Sequence, residues 1–289
     1  MKFGLRYCNT GDYVDAANAV ALAQAAEAAG FESVWTIEHT VVPGGYGSTY
    51  PYATSGKLAG GDDTIPIPDP LIWMAYVAAA TKRINLATGI FILPQHQAAV
   101  VAKQVATLDH MSGGRILLGI GAGWLKEEFE VLGVPFEHRG RRMDEYMQAL
   151  RAFWSAEKPT FEGEFIRFKD AYCRPQPVKG HVPLIVGGHS PAAAKRAGRL
   201  GDGFFPARGA PKDLFDLARQ AARDAGRDPD AIEFTVSLPD NLDDLPALAA
   251  IGVKRVLVPV TSMAGLASVV DTPDAALKWR DTIAKYSTT

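Results

Sequence analysis

The sequence predicts an α/β fold: a TIM-type (β/α)8 barrel with insertions after its second strand and before its fifth. Three observations point to it. Residues 84–93 (INLATGIFIL) and 116–120 (ILLGI) are continuous apolar runs, not alternating ones, as strands buried on both faces must be. Strand and helix patterns alternate eight times along the 289 residues. No Gly-x-Gly-x-x-Gly follows the first strand, which counts against the competing open, doubly wound sheet. A single domain over residues 1–289 follows.

Strands are expected at residues 3–7, 33–37, 84–93, 116–120, 183–186, 203–206, 232–238 and 255–260. The first helix, 14–29, is alanine-rich and stops at Gly30, a residue suited to left-handed backbone. Later helices are expected at 70–80, 98–110, 141–156, 191–200, 211–225, 242–251 and 273–285. Residues 40–68 are rich in Gly, Pro, Tyr and Thr and follow the second strand, so they should overhang the carboxyl face as a lid or binding loop. Residues 155–181 contain TFEGEFIRFKD, whose alternating aromatic and charged residues around Glu162 and Gly163 predict a β-hairpin.

With 47% hydrophobic and 21% charged residues, the chain can bury a sizeable core. A formal net charge of -2 gives no overall electrostatic drive toward nucleic acid or an anionic membrane. Cys8 and Cys173 have no metal-ligand spacing around them, so neither a disulfide framework nor a metal site is expected. The opening MKFGLRY lacks a signal-peptide profile, and no apolar run reaches the roughly 18 residues of a membrane span. A reducing, cytoplasmic setting and a small-molecule partner are the expectation.

In parallel barrels the chemistry sits at the carboxyl ends of the strands. Glu38 and His39 end the second strand, a titratable pair suited to proton transfer. Thr88, Gly89 and Ile90 end the third, where a glycine within a strand marks a bulge or a close ligand approach. Gly119, Gly121 and Gly123 follow the fourth, with Trp124 as a wall and Glu127 or Glu128 near the mouth; packing alone would also select small residues here. Gly187, Gly188, His189 and Ser190 precede a helix opened by Pro191, an anion site suited to phosphate or else a simple cap. Lys195, Arg196 and Arg199 could add positive charge there. The dense charges at Arg139, Arg141 and Arg142 read mainly as solvated or internally paired.

Taken in order, WTIEHT at 35–40, LATGIFILPQHQAAVVAKQVATLDHMSGGRILLGIGAGWLKEEFEVLGVPFEHRGRRMDEY at 86–146 and PLIVGGHSPAAAKRAGRLGDGFFP at 183–206 resemble the luciferase-like monooxygenase superfamily. The likeness is to its branch that uses the deazaflavin coenzyme F420. It implies a usually homodimeric TIM barrel holding the ring at its carboxyl face. By position, Thr88, Gly89 and Ile90 match a bulge with a cis peptide at Gly89–Ile90. Ala122, Gly123 and Trp124 match the cofactor border, and Gly187, Gly188, His189 and Ser190 the phosphate turn. His39 matches a position that bonds substrate or ring, with Glu38 assisting it in acid–base work. Two departures stand out: Ala122 lacks the hydroxyl some relatives carry, and Trp124 replaces a carboxylate that others use in catalysis. The resemblance implies hydride transfer between F420 and an organic substrate. A reduced-FMN monooxygenase and a non-catalytic flavin or deazaflavin binder are the alternatives. From the residues themselves, Tyr46, Tyr50, Tyr52 and Trp73 read as the lining for a fairly hydrophobic substrate or else as packing of the loop.

Overall fold

Residues 1–155 and 157–287 are described in a computed structural model of the chain. Among the described residues there are ten strands: β1 (Lys2–Arg6), β2 (Ser33–Thr36), β3 (Asn85–Thr88), β4 (Ile116–Ile120), β5 (Phe161–Glu162), β6 (Arg167–Phe168), β7 (Leu184–Gly187), β8 (Gly203–Phe205), β9 (Glu233–Ser237) and β10 (Val253–Pro259). All but β5 and β6 run parallel in a closed barrel of order β1-β10-β9-β8-β7-β4-β3-β2, the TIM architecture. The helices are α1 (Ala16–Ala29), α2 (Pro70–Ala80), α3 (Ala98–Ser112), α4 (Lys126–Val131), α5 (Arg139–Ser155), α6 (Pro191–Leu200), α7 (Lys212–Asp224), α8 (Leu245–Ala250), α9 (Pro273–Leu277) and α10 (Arg280–Ser287). The antiparallel β5–β6 pair is the expected hairpin before the fifth barrel strand.

Side chains divide as strand geometry requires, alternate residues facing the barrel axis and the helices. Trp35, Ala87, Ile185, Phe205 and Leu257, with Leu117 against them, fill the interior. Leu5, Val34, Leu86, Leu118, Val186 and Phe204 pack outward into the larger core beneath the helices. The amino end of the barrel is plugged by a charge: the buried Arg255 guanidinium donates to Glu32 at 2.8 and 2.9 Å and to Thr235 Oγ1 at 3.1 Å, and pairs with Glu233 at 2.5 Å. Two carboxylates therefore meet the buried cation, and Lys2 pairs with Glu233 beside it.

Several element ends differ from the sequence expectation. The third strand stops at Thr88 and not at residue 93; the Gly89–Ile90 peptide beyond it is cis, and a 3-10 turn follows at Leu93–Gln95. The 242–251 helix is a 3-10 turn at Leu242–Asp244 followed by α8, since Pro246 is tolerated only in the first turn of an α-helix. The 273–285 helix is split into α9 and α10. Position 156, the expected end of the fifth helix, lies outside the described residues, as do positions 288 and 289.

Candidate active site

The carboxyl end of β2 is locked by Asn9, a fully buried side chain beyond β1. Its Oδ1 accepts the Ile37 N–H at 2.8 Å, while Nδ2 donates to the Ile37 carbonyl at 2.8 Å and the Pro68 carbonyl at 3.0 Å. The clasp fixes where Glu38 and His39 emerge. These neighbours do not work as a pair. Glu38 accepts the Ile92 N–H and the His96 Nε2–H, the latter at 2.8 Å. His39 Nδ1 donates to Glu128 Oε2 at 2.8 Å. Both Glu38 oxygens are committed away from His39, so the expected assistance from Glu38 to His39 has no contact behind it here. The carboxylate that does hold His39 is Glu128 of α4, fully buried, which also accepts the Thr40 N–H at 2.7 Å and the Val41 N–H at 3.3 Å. His96 stacks on Phe91 at 4.2 Å; burial alone would lower its pKa, but the Glu38 bond and charge outweigh that and raise it.

At the end of β3 the Thr88 hydroxyl donates to the Gly119 carbonyl at 2.6 Å, a β3–β4 tie. Past the cis Gly89–Ile90 peptide, the Ile90 side chain wedges between the ends of β4 and β7. A β-carbon added at Gly121 would lie 2.6 Å from Ile90 Cδ1, and one at Gly187 would lie 2.4 Å from Ile90 Cγ2. Both glycines therefore leave the room that Ile90 occupies. Ala122, Gly123 and Trp124 are half-buried beyond β4.

Gly188 follows with φ +131°, and its N–H donates to the Phe205 carbonyl at 3.2 Å. His189 and Ser190 are exposed at the start of α6, and Ser190 Oγ accepts the Ala193 N–H at 3.2 Å. Arg196 and Arg199 both turn to Asp144, so neither charge is free for that turn. The Tyr52 hydroxyl lies over it instead. Burial raises the Tyr52 pKa, while a bond from the His189 backbone opposes the rise.

Residues 40–68 cover the carboxyl face with aromatic rings centred on Trp124. Tyr50 lies 5.0 Å from Trp124, Tyr46 5.4 Å and His39 5.8 Å, ring centre to ring centre. Glu127 pins the loop by accepting the Gly47 and Ser48 N–H groups at 2.8 and 3.0 Å; Ser48 and these amides hold its pKa down at about 2. Trp73 is not part of this cluster: it is buried in α2 with Nε1 donating to the Tyr13 carbonyl at 2.9 Å. Beneath the lid, Arg6 at the end of β1 faces the axis, its guanidinium 4.3 Å from the Tyr7 ring and 5.2 Å from the Phe205 ring. Arg6, Asn9 and His96 were not singled out in the sequence; for Arg6 the signal was a charge closing an apolar strand, FGLRY.

The profile of the luciferase-like monooxygenase family matches residues 3–271. An uncharacterised protein of Mycobacterium tuberculosis is 37% identical over 168 residues, 58% of this chain and 59% of its own length. An F420-dependent glucose-6-phosphate dehydrogenase of Kineococcus radiotolerans is 35% identical over 63% of this chain and 56% of its own. An FMNH2-dependent dimethylsulfone monooxygenase of Pseudomonas putida is 34% identical over 64% and 47%. The matched segments thus span about half to three fifths of these relatives. In fold, the chain superposes on the coenzyme F420-dependent tetrahydromethanopterin reductase of Methanopyrus kandleri with a TM-score of 0.75, 17% identity and 99% coverage of each chain.

Proposed function

The chain belongs to the luciferase-like monooxygenase family, and from that premise we propose an oxidoreductase that moves a hydride between coenzyme F420 and an organic substrate held under the 40–68 lid. The observation that carries the chemical part is the His39–Glu128 contact at 2.8 Å. With Nδ1 donating to a carboxylate, the neutral ring keeps its lone pair on Nε2, the nitrogen left for a proton in transit. His39 is the acid–base residue of this reading, Glu128 its positioning residue, and Glu38 a strut for the Ile92 backbone and His96.

The residues at the mouth fit a ring with a phosphate-bearing tail. Thr88, Gly89, Ile90, Ala122, Gly123 and Trp124 would border the ring, and Gly187, Gly188, His189 and Ser190 would receive the phosphate at the α6 amino terminus. Ile90 offers an apolar ledge, and the left-handed backbone at Gly188 brings amide groups round without a side chain in the way. When bound, the deazaflavin supplies the hydride chemistry at its carbon 5. The protein's share is to orient, to exclude water through the Trp124–Tyr50–Tyr46 cluster, and to hold the proton on His39. The relative from Kineococcus supports F420 by its name.

A second reading, a reduced-FMN monooxygenase, is favoured by the name of the Pseudomonas relative. Fluorescence titration with oxidised F420 and separately with FMN decides between them. Selective F420 binding supports hydride transfer, and selective FMN binding moves the chain to the second reading. Binding of neither overturns both and leaves a non-catalytic protein. A homodimer belongs to the proposal, supported by the apolar residues Ile72, Tyr76, Val100 and Met111 exposed on α2 and α3. So does work in the cytoplasm, in keeping with two unpaired buried thiols; among the described residues no helix is long and apolar enough to cross a membrane.

A further inference from the structure

The barrel holds two buried arginines on its axis, one at each end, and they are treated differently. Arg255 at the amino end meets Glu32 and Glu233. Arg6 at the carboxyl end is 7% exposed, yet among the described residues no carboxylate lies within 4.0 Å of it. Its one hydrogen bond among them is from Nη1 to Ser237 Oγ at 2.6 Å. A guanidinium has five N–H donors in a rigid fork, and burying it without a counter-charge is costly. The surroundings hold it in place all the same. Tyr7, with φ +66°, turns the chain back so that its ring lies against the guanidinium, and Phe205 flanks it. The cation is thus oriented, walled by aromatic rings and roofed by the lid on which Tyr50 sits.

Resting on the reading of this mouth as the active site, we propose that Arg6 is a specificity-determining residue that receives an anionic oxygen pair of the substrate, which makes the substrate class a planar organic acid. The fork matches a carboxylate or an enolate, and the flanking rings of Tyr7 and Phe205 match a flat body. The same oxyanion chemistry could come from the pyrimidine oxygens of a reduced ring, so the test separates the two sources.

Benzoate and benzamide, equal in shape and different in charge, are titrated into the protein without cofactor and followed by tryptophan fluorescence. The wild type should prefer benzoate about tenfold or more, the scale of a charge-assisted bond. Arg6→Met should bring the two within about twofold, and Arg6→Lys should retain part of the preference. Arg6→Met should also melt no lower than wild type, because it removes an unpaired buried charge. A structural arginine would behave in the opposite way. Absence of a benzoate preference in the wild type overturns the assignment, and so does a preference that survives Arg6→Met. Arg6→Met weakening F420 binding with the benzoate preference intact assigns Arg6 to the cofactor and also overturns it. Because the titration needs no cofactor, failure of F420 and FMN to bind would count against the functional reading separately.

Discussion

His39 Nδ1 and Glu128 Oε2 lie 2.8 Å apart although 89 residues separate them in the chain, and Glu128 also ties down the first two amides of the lid. One buried carboxylate thus orients the imidazole and anchors the cover above it. If Nε2 handles the proton, His39→Ala should lower turnover roughly a hundredfold or more with F420 still bound. Glu128→Gln should lower kcat less, about tenfold, because it keeps a hydrogen-bond acceptor for Nδ1 but loosens the hold on the ring. Glu128→Asp should keep the negative charge but shorten the reach, and so lie between wild type and Glu128→Ala in kcat. Unchanged turnover in His39→Ala would remove the acid–base role.

The Ile90 wedge makes a packing prediction that needs no ligand. Gly187→Ala and Gly121→Ala each force a methyl against Ile90 and should cost roughly 1–3 kcal/mol in a denaturant melt. Ile90→Ala combined with Gly187→Ala should recover part of the loss, as expected for residues in contact. Additive losses would show that the glycine is needed for another reason.

His96 gives stability a pH dependence of known sign. Its pKa is raised in the folded state against the depressing effect of burial, so its contribution is full below the unfolded value of about 6.5 and is lost as pH rises through the folded value. The melting advantage of wild type over His96→Gln should therefore shrink from pH 6 toward alkaline pH. An advantage that grows with pH would mean the Glu38 contact is not made in solution.

Glu127 is the outer pin of the lid. Its carboxyl is held down at about 2, so its contribution is present above the ordinary carboxylate range and is lost only as pH falls toward that value. Glu127→Ala should speed proteolytic cleavage within residues 40–68 at neutral pH and leave the global melt nearly unchanged. Equal cleavage rates would place the lid's anchorage elsewhere.

Both thiols should be silent in the native protein. Burial pushes the Cys8 thiol up to about 12 against the Trp35 backbone bond, and it raises Cys173 against the nearby Lys103 and Arg174 charges. A thiol reagent at neutral pH should modify neither until the chain unfolds. Fast native modification of Cys8 would show that the end of β1 opens.

The eight-fold alternation, the doubly buried strands, the lid and the hairpin were legible in the sequence because apolar periodicity and turn residues are local signals. The strand ends themselves were legible too, since in a parallel barrel all the carboxyl ends lie on one face. What tertiary structure alone decided is which of those residues meet. Glu38 and His39 are adjacent in sequence, yet past the end of β2 one meets His96 and the other Glu128 of a distant helix. Gly121 read as ligand room or packing and Gly187 as part of a phosphate turn; only the tertiary structure shows that Ile90, beyond β3, lies against both. Arg6 and Arg255 are equally basic in the sequence; only closure of the barrel gave two carboxylates to Arg255 and, among the described residues, none to Arg6. Such pairings depend on long-range contacts between strand ends, and no local pattern encodes which distant side chain will arrive.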